Sequence, residues 1–175
     1  MKTKKILLPL ATLVAAGAIA VGSGATFTST SANTISSVTS GTLTQSNSKA
    51  NAAVFNLTNV KPGDIVNGDL TITNTGSLPA KFSLTETAST NTFAAANLTM
   101  VITNTTTNTV VYTGTFGGLE DNVKKDLGTV APGVANNYRF AVKLDQATPN
   151  TDQGKAASAA FQWDSVQADG VTTNQ

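Results

Sequence analysis

Apolar and polar residues alternate along most of the chain beyond residue 50. The pattern is plain around Leu70 and Ile72 and again around Phe82 and Leu84. It recurs in five further segments: Val54 to Leu57; Leu98, Met100 and Ile102; Val110 and Tyr112; Tyr138, Phe140, Val142 and Leu144; and, in one parity or the other, Ala157 to Trp163. Successive side chains of a strand point to opposite faces, so each segment predicts a half-buried strand. Seven or eight such strands predict an all-β fold, an antiparallel β-sandwich.

Turn signals separate these segments. Pro62-Gly63 and Pro132-Gly133 each combine a fixed φ with a residue that tolerates positive φ, so both predict type II turns, and each precedes a strand. The similarity of their surroundings indicates two related hairpin units. Residues 104–108 are predicted to be a hairpin loop and residues 90–96 a single helical turn. The charged residues 117–126 are predicted to be a solvated loop.

The first 25 residues have the pattern of an export signal. Three lysines precede an apolar run over residues 6–21, and Ser23 and Ala25 form a small-x-small cleavage site. The run is shorter than the ~20 residues that a bilayer span needs. We therefore predict a cleavable signal helix over residues 1–25, cut after Ala25. The alternative is an uncleaved anchor helix.

Removal of this leader leaves residues 26–175, called the processed chain below, with eight basic and ten acidic residues and a formal charge of −2. Its cations are scattered, whereas a nucleic-acid binder needs a basic patch, so nucleic acid is not predicted as a partner. The chain has no cysteine and therefore no disulfide framework. It also has no histidine, the commonest general base and zinc ligand.

No residue pattern predicts a catalytic, metal or cofactor site. Five carboxylates are candidate oxygen ligands for calcium, but they lack calcium-loop spacing. A solvated role is therefore predicted for Glu120, Asp121, Asp126, Asp145 and Asp152. No G-x-S-x-G elbow accompanies the many serines. Tyr112, Tyr138 and Trp163 lie in strand alternation and are predicted to be core residues rather than a carbohydrate-binding platform. We therefore predict that the protein is not an enzyme.

Several short motifs occur together in one order. They are Gly22 to Ala25 followed by Thr26-Phe27, Ser40-Gly41-Thr42-Leu43, Asn59 to Asp64 (NVKPGD), Asn74 to Leu78 (NTGSL), and Phe161-Gln162-Trp163. This set resembles the TasA/camelysin family of exported Gram-positive proteins. The resemblance implies a jelly-roll-like sandwich, processing by a dedicated signal peptidase, and assembly into extracellular fibres of a biofilm matrix. The family also carries a metallopeptidase label, but the sequence has no H-E-x-x-H motif.

The resemblance gives the segment after the leader a role. Residues 26–45 are predicted to be an arm that inserts as a strand into a second copy, ahead of a sandwich domain over residues 46–175. The arm is rich in Thr and Ser and has no proline, which suits strand addition to a sheet edge. Its predicted contact residues are Thr26, Phe27, Ile35, Val38 and Leu43. The alternatives are a first strand of its own sandwich or a disordered tail.

The predicted function is therefore a secreted structural protein of the cell surface or extracellular matrix that forms a homo-polymer. Its predicted partners are further copies, the signal peptidase during export, and accessory matrix proteins. Contact with a membrane is predicted only through the uncleaved leader. The alternatives are a camelysin-like secreted metallopeptidase and a monomeric adhesin or binding module.

Overall fold

Thr, Val and Ile, which favour pleated backbone, recur in eight antiparallel strands. The structure, a computed structural model, describes residues 40–55 and 60–172. In chain order the strands are β1 (Gln45–Asn47), β2 (Ile65–Asn74), β3 (Ala80–Asn91), β4 (Leu98–Asn104), β5 (Thr109–Thr115), β6 (Lys125–Val130), β7 (Ala135–Leu144) and β8 (Ala157–Gln167). Within the described residues the helical content is one 3₁₀ turn, Asn150–Asp152. The prediction of an all-β fold is confirmed.

The strands form two sheets. One has the order β1-β2-β7-β4-β5 and the other the order β6-β3-β8, and every neighbouring pair is antiparallel. The two inner faces bury one apolar cluster, which includes Leu84, Met100, Ile102 and Phe140 at 0% exposure. A jelly-roll connection pattern remains what the resemblance implies.

Aromatic side chains occupy the centre of this cluster. Tyr138 packs on Trp163 with ring centroids 4.7 Å apart, and Phe140 packs on Phe161 at 5.0 Å. In β8 the inward residues are those of odd number, from Ala157 to Trp163. Tyr138 and Trp163 are thus core residues, as predicted, and half-buried Tyr112 donates its hydroxyl to the Thr115 carbonyl.

The two Pro-Gly turns are equivalent in structure. Each closes by a hydrogen bond around its proline, from the Asp64 amide to the Lys61 carbonyl and from the Val134 amide to the Ala131 carbonyl. Gly63 and Gly133 have φ of 91° and 75°, as type II turns require. Each turn leads into one strand of the β2–β7 pair and caps the end of the other, because Gly63 donates to Leu144 and Gly133 to Asn74. The predicted relation between the two units is therefore present.

The structure confirms one local prediction and changes two others. Residues 105–108 form the β4–β5 hairpin loop, as expected. Residues 90–96 are not a helical turn, because β3 continues to Asn91 and the chain then turns by a hydrogen bond from the Asn97 amide to the Ala94 carbonyl. The charged segment 117–126 is a loop only up to Lys124, since Lys125 and Asp126 begin β6. An edge strand accommodates charges on its exposed face, so charge there does not indicate a loop.

Val54 and Phe55, predicted to start a strand, lie outside the strands. The Phe55 ring packs instead against Phe116 and Phe140, each with ring centroids 6.1 Å away. Leu57, together with the predicted signal helix and its cleavage residues Ser23 and Ala25, lies outside the described residues. Over residues 40–55 and 60–172, no helix is both long enough and apolar enough to cross a membrane.

Candidate assembly site

The base of the predicted arm is fixed to its own subunit. The Thr42 amide donates to Ser77 Oγ at 2.9 Å, and the Ser77 amide donates to the Thr42 carbonyl at 3.0 Å. The amides of Thr75 and Gly76 both donate to the Thr44 carbonyl, at 3.0 and 3.1 Å. Gly76 has to be glycine here, since a Cβ would collide with the Thr42 carbonyl. From Thr42 onward the arm therefore belongs to its own sandwich.

These contacts explain two of the motifs noted above. Ser40-Gly41-Thr42-Leu43 lies directly over Asn74 to Leu78, and a Cβ on Gly41 would collide with the Leu78 side chain. Asn74 organises the lower motif: its buried amide donates to the carbonyls of Leu78 and Val130, both at 2.9 Å, and its side-chain oxygen accepts from the Gly76 amide. The two motifs form one anchor at the end of the sandwich where β2 crosses to β3.

A groove of about 520 Å³ lies near this end, between the two sheets. Its walls are the edge strands β5 and β6, which face each other across the open side of the sandwich. Its apolar lining includes Val110, Val111, Leu127, Val130, Val134 and Tyr138. Val110 and Val134 are 56% and 43% exposed. This region is called the β5–β6 groove below.

The outer edges of β5 and β6 have no strand neighbour among the described residues. Each edge therefore presents main-chain amides and carbonyls that an added strand can pair with. Val110 to Val111 and Leu127 supply apolar surface beneath that position. The groove thus combines an open hydrogen-bonding edge with a hydrophobic floor, the two properties that strand addition uses.

The opposite side of the sandwich is partly covered by the chain itself. The Gln45 side chain, on β1, donates to the Trp163 carbonyl on β8 at 2.7 Å. Residues 53–55 lie beside Ala157 to Phe161 of β8 and cover part of that edge. The structure therefore distinguishes the two sides, and the β5–β6 side has the larger groove, about 520 Å³ against about 270 Å³ beside β8.

The predicted assembly residues fall into two groups. Leu43 lies at the anchor and is 40% exposed. Thr26, Phe27, Ile35 and Val38 lie outside the described residues, as does most of the predicted arm. The structure thus places the base of the arm and leaves its contact residues as predictions.

The five candidate calcium ligands are spread over the sandwich. Asp152 accepts from Asn97 Nδ2 and holds the loop before β4, Asp145 accepts from the Ala147 amide, and Asp126 accepts from the Gly128 amide. Glu120 and Asp121 lie on the exposed loop before β6. In the part of the chain that the structure describes, no three acidic residues form a group that could hold a metal ion. With histidine and cysteine absent from the sequence, the residues present do not fit a catalytic zinc site.

Two features were missed from the sequence. The first is the groove, because it depends on β6, and the charged residues at the start of β6 were predicted to belong to a loop. The second is Glu86, which is fully buried on β3. A sequence signal for Glu86 was available, because it continues the inward row of Ala80, Phe82 and Leu84.

One family comparison covers nearly the whole chain. The model of the family described as camelysin metallo-endopeptidase matches residues 2–169. No curated protein matches the chain.

Proposed function

The chain belongs to the camelysin metallo-endopeptidase family, and from that premise we propose that it is a secreted structural subunit that forms extracellular fibres of the biofilm-matrix kind. Membership agrees with the resemblance to the TasA/camelysin family and with a surface or extracellular location. In the proposed assembly, the arm of one copy adds a strand in the β5–β6 groove of the next. The observation that carries this proposal is an apolar groove bordered by two open strand edges.

The reach of the arm supports this arrangement. Because the anchor holds the chain from Thr42 onward, residues 26–41 are the part available to a second copy. Sixteen extended residues span about 50 Å, whereas the six residues of β6 span about 20 Å. The arm is therefore long enough to leave its own subunit and cover the whole groove of a neighbour. Since each copy has one arm and one groove, the contact is head-to-tail and propagates into a filament.

Side-chain burial alone does not account for such a contact. Phe27, Ile35 and Val38 would each contribute ~1.5 to 3 kcal/mol on burial, about 5 to 9 kcal/mol in total. Association costs an estimated ~4 to 15 kcal/mol, so these side chains roughly offset that cost. Main-chain pairing along the groove, at ~0.5 to 1.5 kcal/mol for each hydrogen bond, then decides whether the filament is stable.

Removal of the leader acts as the switch in this proposal. Before cleavage, Thr26 and Phe27 are still joined to the signal, a few residues after its apolar run, so the arm has no free end to enter another subunit. Cleavage after Ala25 by the signal peptidase frees that end. Assembly is thereby confined to protein that has been exported, and accessory matrix proteins are proposed as further contacts of the finished fibre.

The groove is tested by placing a charge in it. We expect Val110→Arg to prevent filament formation by the processed chain, or to raise the concentration it needs at least tenfold, because the arginine stands where the added strand must pack. Negative-stain electron microscopy and sedimentation measure the outcome.

The matched control is Val166→Arg on β8, since Val166 and Val110 are similarly exposed, at 53% and 56%. This control should form filaments like the parent. Filaments from Val110→Arg at the parent's threshold concentration would exclude the β5–β6 groove, and their loss only in Val166→Arg would place the contact at β8.

The family description makes peptidase activity the second candidate function. Because neither histidine nor cysteine is present to hold zinc, we expect the purified processed chain to leave casein intact, with or without added zinc. The assay compares the protein before and after treatment with a chelator. Casein cleavage that stops with the chelator and follows the folded protein through purification would contradict this expectation and favour the peptidase.

A further inference from the structure

Glu86 is an unusual residue for the interior of a sandwich. Its side chain is fully buried on β3, and both carboxyl oxygens lack a hydrogen-bond partner among the described residues. It follows Phe82 and Leu84 in the inward row of the strand. A buried carboxylate without a partner is costly, whereas the neutral acid is much less so. The burial of Glu86 therefore favours its protonated form.

A loop lies beside this position. β3 pairs with β6 only as far as Leu84 and Lys125, and beyond that point residues 120–124 replace β6 as the neighbour of β3. Asp121 forms an isolated parallel bridge with Glu86, and the Asn122 amide donates to the Glu86 carbonyl at 2.8 Å. The main chain of the loop is thus docked on the residue whose side chain lacks a partner.

The charges around Glu86 do not compensate a carboxylate. Asp121, from the docked loop, is itself acidic, and the hydroxyl of Tyr112 on β5 is the other titratable group that interacts with Glu86. On the β8 side the residue opposite is Phe161. Lys124 pairs with Asp164 at 3.2 Å, and Lys125 stands opposite Leu84. Burial, and to a smaller degree the charge of Asp121, raise the pKa of Glu86 to about 7.

We propose that Glu86 is a proton-operated latch for the loop of residues 117–124. The neutral acid stays buried and leaves the loop docked on β3. The carboxylate needs water, and the docked loop, as the neighbour of β3 that belongs to no strand, is the segment that must lift to admit it. Since this loop joins β5 to β6, the latch lies between the two strands that border the groove. The proposal itself concerns the single subunit and does not depend on fibre formation.

The direction of the pH effect follows from proton binding. An unperturbed glutamate titrates near pH 4.5, and Glu86 in the folded protein near pH 7. Between these values the folded protein binds more protons than the unfolded chain, so the free energy of unfolding falls as the pH rises. We expect stability and loop docking to be greatest below pH 4.5 as far as Glu86 is concerned, to fall through the window, and to level off above pH 7.

Hydrogen–deuterium exchange of the processed chain measures the latch. At pH 8, where the effect has levelled off, we expect amides of residues 117–124 to exchange at least tenfold faster than in Glu86→Gln, after correction for the intrinsic rate; the difference between pKa values of 4.5 and about 7 sets an upper limit of about 300-fold. At pH 4, below both pKa values, the two proteins should agree. Glu120→Gln, which removes an exposed carboxylate from the same loop, is the matched control and should behave like the parent at both pH values.

Asp121→Asn supplies a second variant, on an exposed part of the loop. Removing its charge should lower the pKa of Glu86 in the folded protein, so exchange should level off at a lower pH and be slower at pH 8 than in the parent. Equal exchange in the parent and Glu86→Gln at pH 8 would overturn the latch. If Glu86→Gln does not fold, exchange in Asp121→Asn that levels off at the same pH and the same rate as in the parent overturns it.

Discussion

A chain that begins at residue 41 should remain monomeric at concentrations where the processed chain forms filaments. This deletion removes Phe27, Ile35 and Val38 and the main chain that would pair in the groove, while the anchor from Thr42 onward stays intact. All the described strands begin at Gln45 or later, so the sandwich itself is retained. The measurements are electron microscopy for filaments and sedimentation velocity for the oligomeric state.

A peptide of residues 26–41, added in trans, distinguishes a lost contact from a damaged fold. The peptide should bind the shortened chain, and the Val110→Arg change should weaken that binding at least tenfold, whereas Val166→Arg should not. Filaments of ordinary appearance from the shortened chain would rule out assembly through the arm. If the peptide still binds after Val110→Arg, the arm does take part in assembly, but the surface that accepts it is not the β5–β6 groove.

The position of the anchor is also compatible with an arm that pairs inside its own subunit, and measurement of the oligomeric state tests this alternative. The arm leaves the sandwich near Asn74, and Asn74 also bonds to Val130 at the end of the groove. An arm that starts so close to its own groove could fill it within one subunit, as a first strand of its own sandwich. A processed chain that stays monomeric at high concentration, with its arm protected from exchange, would favour that arrangement over polymerisation.

Much of the sandwich was predictable because its strands have one buried and one exposed face. Leu70 and Ile72, or Phe82 and Leu84, alternate with polar residues for that reason, and period two in the sequence becomes two faces in the sheet. β6 was missed because an edge strand needs little apolar residue content: apart from Val130 its residues are half-buried or exposed. Val54 and Phe55 were misassigned because an aromatic residue that closes a core from a loop has the same local pattern as one in a strand.

The candidate site was less predictable than the fold. The sequence shows an arm that suits strand addition, but an acceptor groove arises only when β5 and β6, separated by a nine-residue connection, face each other across two sheets. The number of residues between β5 and β6 does not tell whether the two strands will border a groove. The same is true of Glu86, since its burial without a partner depends on which side chains of the other strands surround it. The motif residues Gly41 and Gly76 were visible, but their purpose, close approach of two backbones, appears only in three dimensions.

Replacement of Phe140 by alanine should cost about 3 to 5 kcal/mol of unfolding free energy. Phe140 is 0% exposed and contacts three aromatic rings, those of Phe55, Phe161 and Trp163, so its removal leaves a cavity between both sheets. Domains of this size are stable by only ~5 to 15 kcal/mol, so the loss is a large part of the total.

Urea unfolding in the Val110→Arg background, which is expected not to assemble, measures this loss of unfolding free energy without interference from filaments. Phe93→Ala, at a half-buried ring on the margin of the core, should cost less than half as much. Equal costs at the two positions would mean that the centre of the sandwich is not where the two sheets place it.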